Sequence, residues 1–262
     1  IIAFKDISPF EGVAGILSAP WVGFKHFARF LNSVFFWNIM RNTIVIRGLK
    51  LLWGFPAPIL LALLINDVRN QMFKRVVQTI SYLPHFISWV VVAGLAYALL
   101  STEVGLINNA LADLGIAPIP FLRHERYFRS VLVVTDIWKG MGWSSIIYLA
   151  AITGIDPELY EAAVIDGANK VQQAWYITLP SIALVIVIQL IFAVGNLLNA
   201  GFEQILLLYS PLVYNVADII DTYVYRVGIQ GLEYSFASAI GLFRSIVALI
   251  LLLLTNKVAH KL

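Results

Sequence analysis

The chain has 262 residues, of which 60% are apolar and 13% charged, with a mean hydropathy of +0.83; soluble domains carry about a quarter of their residues as charges, so this composition belongs in lipid. Cysteine is absent, which excludes disulfides and thiolate metal sites. The formal charge of +3 arises from Lys and Arg scattered in twos and threes, not from a stripe that could follow a phosphate backbone, and nucleic acid is excluded as a partner.

Ile1 to Phe4 reads as the tail of an apolar run, with at least one further span expected upstream. Five stretches approach the roughly 20 apolar residues that a helix needs to cross a bilayer core of about 30 Å. They are 42–66, 80–100, 130–153, 181–209 and 235–256, called spans A to E. These runs are continuous and Leu-rich, whereas barrel strands alternate, so the expected fold class is an all-α membrane protein, a polytopic helical bundle. Two regions follow: residues 1–41 outside the bundle and residues 42–262 as the transmembrane domain.

Residues 5–41 interleave Trp21, Phe24, Phe27, Phe30, Phe35, Phe36 and Trp37 with Lys25, His26, Arg29 and Arg41. That mixture suits a helix lying in the membrane interface, or an extramembrane loop packed on the bundle. On span A, Arg47 and Lys50 are placed to snorkel toward the boundary, and Gly54, Pro56 and Pro58 predict a kink or local unwinding. Residues 67–78, with Arg69, Lys74 and Arg75, read as a polar turn, and 101–129 as a longer Gly- and Pro-punctuated loop. His124 and Glu125 begin a zinc-protease pattern, but position 128 is Phe128 where a second His is required, so no metal site survives. There is no catalytic Ser elbow and no Gly-Lys-Ser/Thr phosphate loop, so neither a catalytic site nor a nucleotide site is expected in the chain.

Span C carries Asp136, Trp138, Lys139 and Trp143. Asp136 and Lys139 are three apart and can pair; alternatively Lys139 and the two Trp side chains line a substrate path, where aromatic rings offer stacking faces and the ammonium a hydrogen-bond donor. Span D is too long for a simple crossing and should bend between Gly195 and Gly201. On it Asn196, Asn199 and Glu203 fall on one side of successive turns, either facing a substrate or serving as polar glue between helices. Arg244 on span E follows the small residues Ala237, Ser238, Ala239 and Gly241, and faces either a partner subunit or a cavity.

The segment 154–180 is the most informative. Asp156 is a good helix N-cap, Pro157 suits the first helical position, and Glu158 and Glu161 place negative charge near the positive end of the helix. Asp166 precedes Gly167, a left-handed terminator, and a second short helix runs on to Ile177-Thr178-Leu179-Pro180. Ala162 and Ala163 offer little bulk, so this helix-turn-helix can approach another protein closely, with Glu161 available to meet a cation.

Glu161-Ala162-Ala163, then Gly167, then Ile177-x-Leu179-Pro180 resembles the coupling motif of binding-protein-dependent ABC importer permeases, with every fixed position matched. Tyr82 to Ser88, Asn196 to Gln204 and Asp218 to Arg226 look like the oligosaccharide and polysaccharide branch, which includes importers of alginate and other uronate-containing sugars. The resemblance implies a type I importer permease fold of six spans, in which span A is the second and the first lies upstream. It implies that 154–180 faces the cytoplasm and docks on an ATPase subunit through Glu161, Ala162, Ala163, Asp166, Gly167, Ile177, Leu179 and Pro180. The implied partners are a second, similar permease subunit, two ATP-binding subunits that use ATP and magnesium, an extracytoplasmic solute-binding protein, membrane lipid and the sugar. The implied location is the bacterial inner membrane. An ion-coupled secondary sugar transporter would share the broken helices, and a membrane scaffold the small-residue faces; neither explains the coupling loop.

Overall fold

Asn70, Asp156 and Asn169 each start a helix by accepting backbone amides on a side-chain oxygen. The computed structural model describes residues 1–8, 10 and 12–259; the end of the expected transmembrane domain, 260–262, lies outside the described residues. The N-terminal segment contains α1 (Gly12–Ser18) and α2 (Lys25–Leu31). The buried Lys5 ammonium closes α1 by donating to the carbonyls of Ile16 and Leu17 at 2.9 and 2.8 Å. Lys25 donates to Asp6 at 2.8 Å, and that hydrogen bond holds the Asp6 carboxyl below its ordinary value. Instead of one interfacial helix there are two short ones. Trp21, Phe24 and Trp37 remain exposed, whereas Phe30 and Phe36 are buried.

The first long helix begins at Phe36 rather than at residue 42. It runs as α3 (Phe36–Gly54) and α4 (Pro56–Asp67). Phe55 between them keeps helical dihedrals and its N–H reaches Leu51 O at 3.1 Å, so 36–67 continues as one apolar helix of 32 residues. The expected kink is therefore only a local interruption, because Pro56 and Pro58 sit in the first turn of α4, where a missing N–H costs least.

The polar turn expected at 67–78 is much shorter. The Asn70 side chain accepts from the amides of Met72 and Phe73, at 3.0 and 3.1 Å, and starts α5 (Gln71–Phe86) there. Span B is thus a broken helix, α5 and then α6 (Trp89–Leu100), separated at Ile87 and Ser88. Loop 101–129 holds α7 (Leu106–Asp113) and is organised by Asn108. Its buried amide donates to Ser101 O and Ile119 O and accepts from Ile119 N.

Span C is α8 (Glu125–Thr153), 29 residues and about 43 Å at 1.5 Å per residue. It is long enough to cross, although its polar residues leave it less apolar than the spans on either side. Next come α9 (Pro157–Ile165), α10 (Lys170–Gln173), a π turn at Ala174–Thr178, α11 (Leu179–Ser181) and α12 (Ala183–Gly195). Span D ends at Gly195, as the glycines predict, and resumes as α13 (Phe202–Leu208). Between spans D and E lie α14 (Tyr214–Ala217) and α15 (Ile220–Tyr225), and span E is α16 (Tyr234–Ala259). By length and composition, 36–67 and 234–253 are candidate spans, and two bent pairs, α5 with α6 and 170–181 with α12, make up to four.

The chain falls into two compact units, residues 1–48, 89–132 and 195–262 in the first and 49–88 and 133–194 in the second. Residues 1–41 are therefore part of a larger unit, not a body of their own. The first unit has two apolar centres. One gathers Ile46, Phe128, Leu132, Ile205, Val213 and Ile219; the other gathers Phe30, Phe36, Ile39, Ile220, Phe236 and Ile240. The second unit packs Ile59, Ala62 and Ile65 of α4 against Tyr148, Leu149 and Ile152 of α8, with Ile182 closing the cluster.

Candidate functional site

The 154–180 segment has the predicted helix-turn-helix form. Asp156 accepts from Glu158 N at 3.0 Å and Pro157 occupies the first turn of α9. At the other end Asp166 is the C-cap and Gly167 takes φ +78°. Ala168 N donates to Ala163 O at 2.8 Å and Gly167 N to Val164 O at 3.1 Å, the paired bonds of a Schellman closure. Asn169 and Gln172 then form a reciprocal capping box that opens α10.

No residue of α9 is buried. Glu161 and Ala162 are exposed and Ala163 is half-buried; Val164 is 62% and Ile165 86% exposed. Each of these apolar side chains, if covered, contributes roughly 1.5–3 kcal/mol to whatever covers it. Glu161 has no ion-pair partner within the chain among the described residues. A helix held rigid at both ends, with its surface left apolar and a free acid, is shaped to dock.

Several contacts fix α9 to its own unit. Tyr160 Oη lies 2.9 Å from Thr178 Oγ1, and the buried Gln173 amide donates to Ala168 O at 3.1 Å. Lys170 donates to Gln173 Oε1 at 3.2 Å and sits 3.5 Å from Asp67 at the end of α4. These residues border a cleft of about 270 Å³ with Asn66 and Arg69. Ile177 lies in the π turn, Leu179 packs on the α4/α8 cluster, and Pro180 is exposed one residue before the chain turns by 68° into α12. The π turn together with a proline lacking N–H accounts for that bend. The Ile-x-Leu-Pro residues thus form an elbow at the foot of span D.

The polar residues of span C are placed differently from the sequence expectation. The partner the structure gives Asp136 is the buried Lys50, at 3.1 Å, so Lys50 does not snorkel. The Lys139 ammonium donates to the carbonyls of Pro84, His85 and Ile87, capping α5 where it breaks. This cation sits on carbonyls at the C-terminal end of α5, where positive charge is favoured, and any substrate would have to compete for it. Trp143 is half-exposed and stacks on His85, with ring centres 4.7 Å apart and planes within 6°; Phe86 meets it edge-on. Trp138 is also partly exposed.

On span D, Asn196 and Asn199 lie in the turn after α12, with Asn199 N donating to Asn196 O at 2.9 Å, and Glu203 begins α13. The break gathers them at one bend instead of along one helical face. Arg244 pairs with Asp221 of α15 at 2.5 Å. Sequence reasoning missed Asp221, His85 and the Tyr160–Thr178 tie. Asp221 was visible as an acid within the 218–226 stretch; the other two depend on tertiary placement and left no local signal.

Residues 54–261 match the family described as binding-protein-dependent transport system inner membrane component. The polygalacturonan/rhamnogalacturonan transport system permease protein YteP of Bacillus subtilis is 48% identical over all of this chain and 80% of its own length. Protein LplB of the same organism is 43% identical, covering all of this chain and 81% of its own length. Among solved structures, a chain of a bacterial ABC transporter involved in the import of the acidic polysaccharide alginate is 46% identical. It superposes with a TM-score of 0.89 over 93% of this chain and 85% of that chain. A chain of the bacterial alginate ABC transporter in complex with alginate pentasaccharide-bound periplasmic protein gives 0.87 at the same identity, over 91% of this chain and 83% of that chain.

Proposed function

Because the chain belongs to the family of binding-protein-dependent transport system inner membrane components, we propose that it is the membrane-crossing permease of an ATP-driven importer of acidic oligosaccharides. It is a bacterial inner-membrane component with the type I ABC importer permease fold, and it transports without catalysing a reaction. Polygalacturonan, rhamnogalacturonan and alginate, named for its relatives, are built from or contain uronates, which favours this substrate class over neutral sugars. A solute-binding protein outside the membrane hands over the sugar, as the periplasmic protein of the related alginate transporter suggests. The ion-gradient reading is set aside by the family match.

The observation that carries the mechanism is the capped, wholly unburied α9. A nucleotide-hydrolysing subunit seats on Glu161, Ala162, Ala163 and the Asp166–Gly167 turn, and a cation there meets Glu161. Movement of that subunit then drags α9, and the Tyr160–Thr178 and Lys170–Asp67 ties transmit it to α4 and the foot of span D. Ile177, Leu179 and Pro180 make the elbow through which the displacement reaches α12. A second, similar permease completes the wall of the path, two ATP-binding subunits with magnesium supply the energy, and this chain needs no cofactor of its own. In the second unit Trp138 and Trp143 offer stacking faces for the sugar and Lys139 caps the broken α5; in the first unit Asn196, Asn199 and Glu203 offer hydrogen bonds.

The test is Glu161→Lys in the assembled transporter. Insertion in the membrane should be normal, while ATP hydrolysis stimulated by sugar-loaded binding protein falls at least tenfold, as expected for converting a charge-assisted contact into a repulsion. Normal stimulated hydrolysis with normal copurification of the ATPase would reject the docking role.

A further inference from the structure

In the first unit, α15, α16 and the start of α13 enclose an open cavity of about 820 Å³, within the size range of small-ligand sites. Phe202, Tyr225 and Tyr234 give it aromatic walls, Asn199 stands among its lining residues, and Asp221 and Arg244 bring their ion pair into it. The side chains of that pair keep 16% and 31% of their exposure. An arginine within a membrane helix is costly, and a pair serving only to tie α15 to α16 needs no void beside it. The guanidinium has five donors in a planar fork suited to carboxylates, and Asp221 takes up only part of that capacity. Asp221 oxygens and the Asn199 amide can hydrogen-bond sugar hydroxyls, and the aromatic rings can cover pyranose faces.

We propose that this cavity is a saccharide subsite in which Arg244 reads the carboxylate of a uronate, with Asp221 as the resident counter-ion that holds the guanidinium while the cavity is empty. The incoming carboxylate shares the fork with Asp221 or displaces it toward the sugar hydroxyls, with no covalent step. The inference rests on the importer reading and assigns its acid selectivity to one ion pair. A phospholipid phosphate would offer the fork the same anionic oxygens, so the experiment must separate lipid from sugar.

The experiment uses the whole purified transporter, wild type and the double variant Asp221→Asn/Arg244→Gln, which leaves neither charge stranded. Thermal stabilisation is titrated with trigalacturonate, with the same trisaccharide after its carboxyls are reduced to alcohols, and with glycerol phosphate. The wild type should be stabilised by trigalacturonate and not by the other two, and the double variant should need on the order of tenfold more of the acid sugar, the loss of one charge-assisted pair. Its melting point without sugar should stay within a few degrees of the wild type. Equal stabilisation by the reduced sugar, an unchanged midpoint in the variant, equal stabilisation by glycerol phosphate, or none by trigalacturonate each overturns the proposal. ATP hydrolysis stimulated by sugar-loaded binding protein is measured on the same wild-type preparation. Its absence defeats the importer reading itself, whereas its presence with failed titrations defeats only the subsite.

Discussion

Gly167 separates what this chain requires from what its neighbour requires. Its φ of +78° is a left-handed conformation, which an L-residue adopts at a cost of about 1–2 kcal/mol. A Cβ built there meets nothing within 4 Å. Within the chain, therefore, Gly167→Ala and Gly167→Trp carry the same backbone penalty and neither meets a neighbour at Cβ, and Gly167→Asn, which tolerates this region better, carries less. With insertion and melting temperature equal for Ala and Trp, a large difference between them in hydrolysis comes from a surface that covers the turn in the assembly. The three variants are compared for membrane insertion and for sugar-stimulated ATP hydrolysis of the purified transporter. Insertion should be close to normal for all three; hydrolysis should be near normal for Asn, reduced a few-fold for Ala and reduced at least tenfold more for Trp. If Trp and Ala were indistinguishable in hydrolysis, nothing would lie against Gly167 and the docking surface would have to be elsewhere.

Three further predictions address the frame and the path. Lys50→Met leaves Asp136 without its 3.1 Å partner and should cost about 2–3 kcal/mol, below the ~3–5 of a fully buried pair because Asp136 keeps 33% exposure; Lys50→Met/Asp136→Leu should recover most of the lost melting temperature. Gly142→Ala places a Cβ 1.9 Å from Ser81 O, a backbone atom with no rotamer to yield, so it should lower the melting temperature by more than Gly140→Ala, where a Cβ meets nothing within 4 Å. Trp143→Ala removes the exposed ring stacked on His85 and should reduce sugar uptake several-fold with assembly unchanged; uptake equal to wild type would take Trp143 off the path.

Local rules foretold the site better than the frame. Asp156, Pro157 and Gly167 each obey a capping preference that acts over a few residues, so the ends of α9 were readable. The bend at Gly195 to Gly201 was readable for the same reason. What could not be read depends on partners distant in sequence. Lys139 looked paired with Asp136, its neighbour on the helix, but three carbonyls at the end of α5 compete more effectively, and Asp136 is met by Lys50. The turn at 67–78 was misjudged because Lys74 and Arg75 sit on the polar face of an amphipathic helix capped by Asn70. The connection between spans D and E carries Ile219, Ile220 and Tyr223, whose burial comes from packing in the first unit.

The chain has no cysteine, so Ile165→Cys introduces the sole thiol at the most exposed apolar position of α9. In intact transporter, a thiol cross-linker at this position should join the chain to its ATP-binding subunit, and a membrane-impermeant reagent added outside the cell should fail to label it. Labelling from outside, or a cross-link found only to the solute-binding protein, would contradict the account.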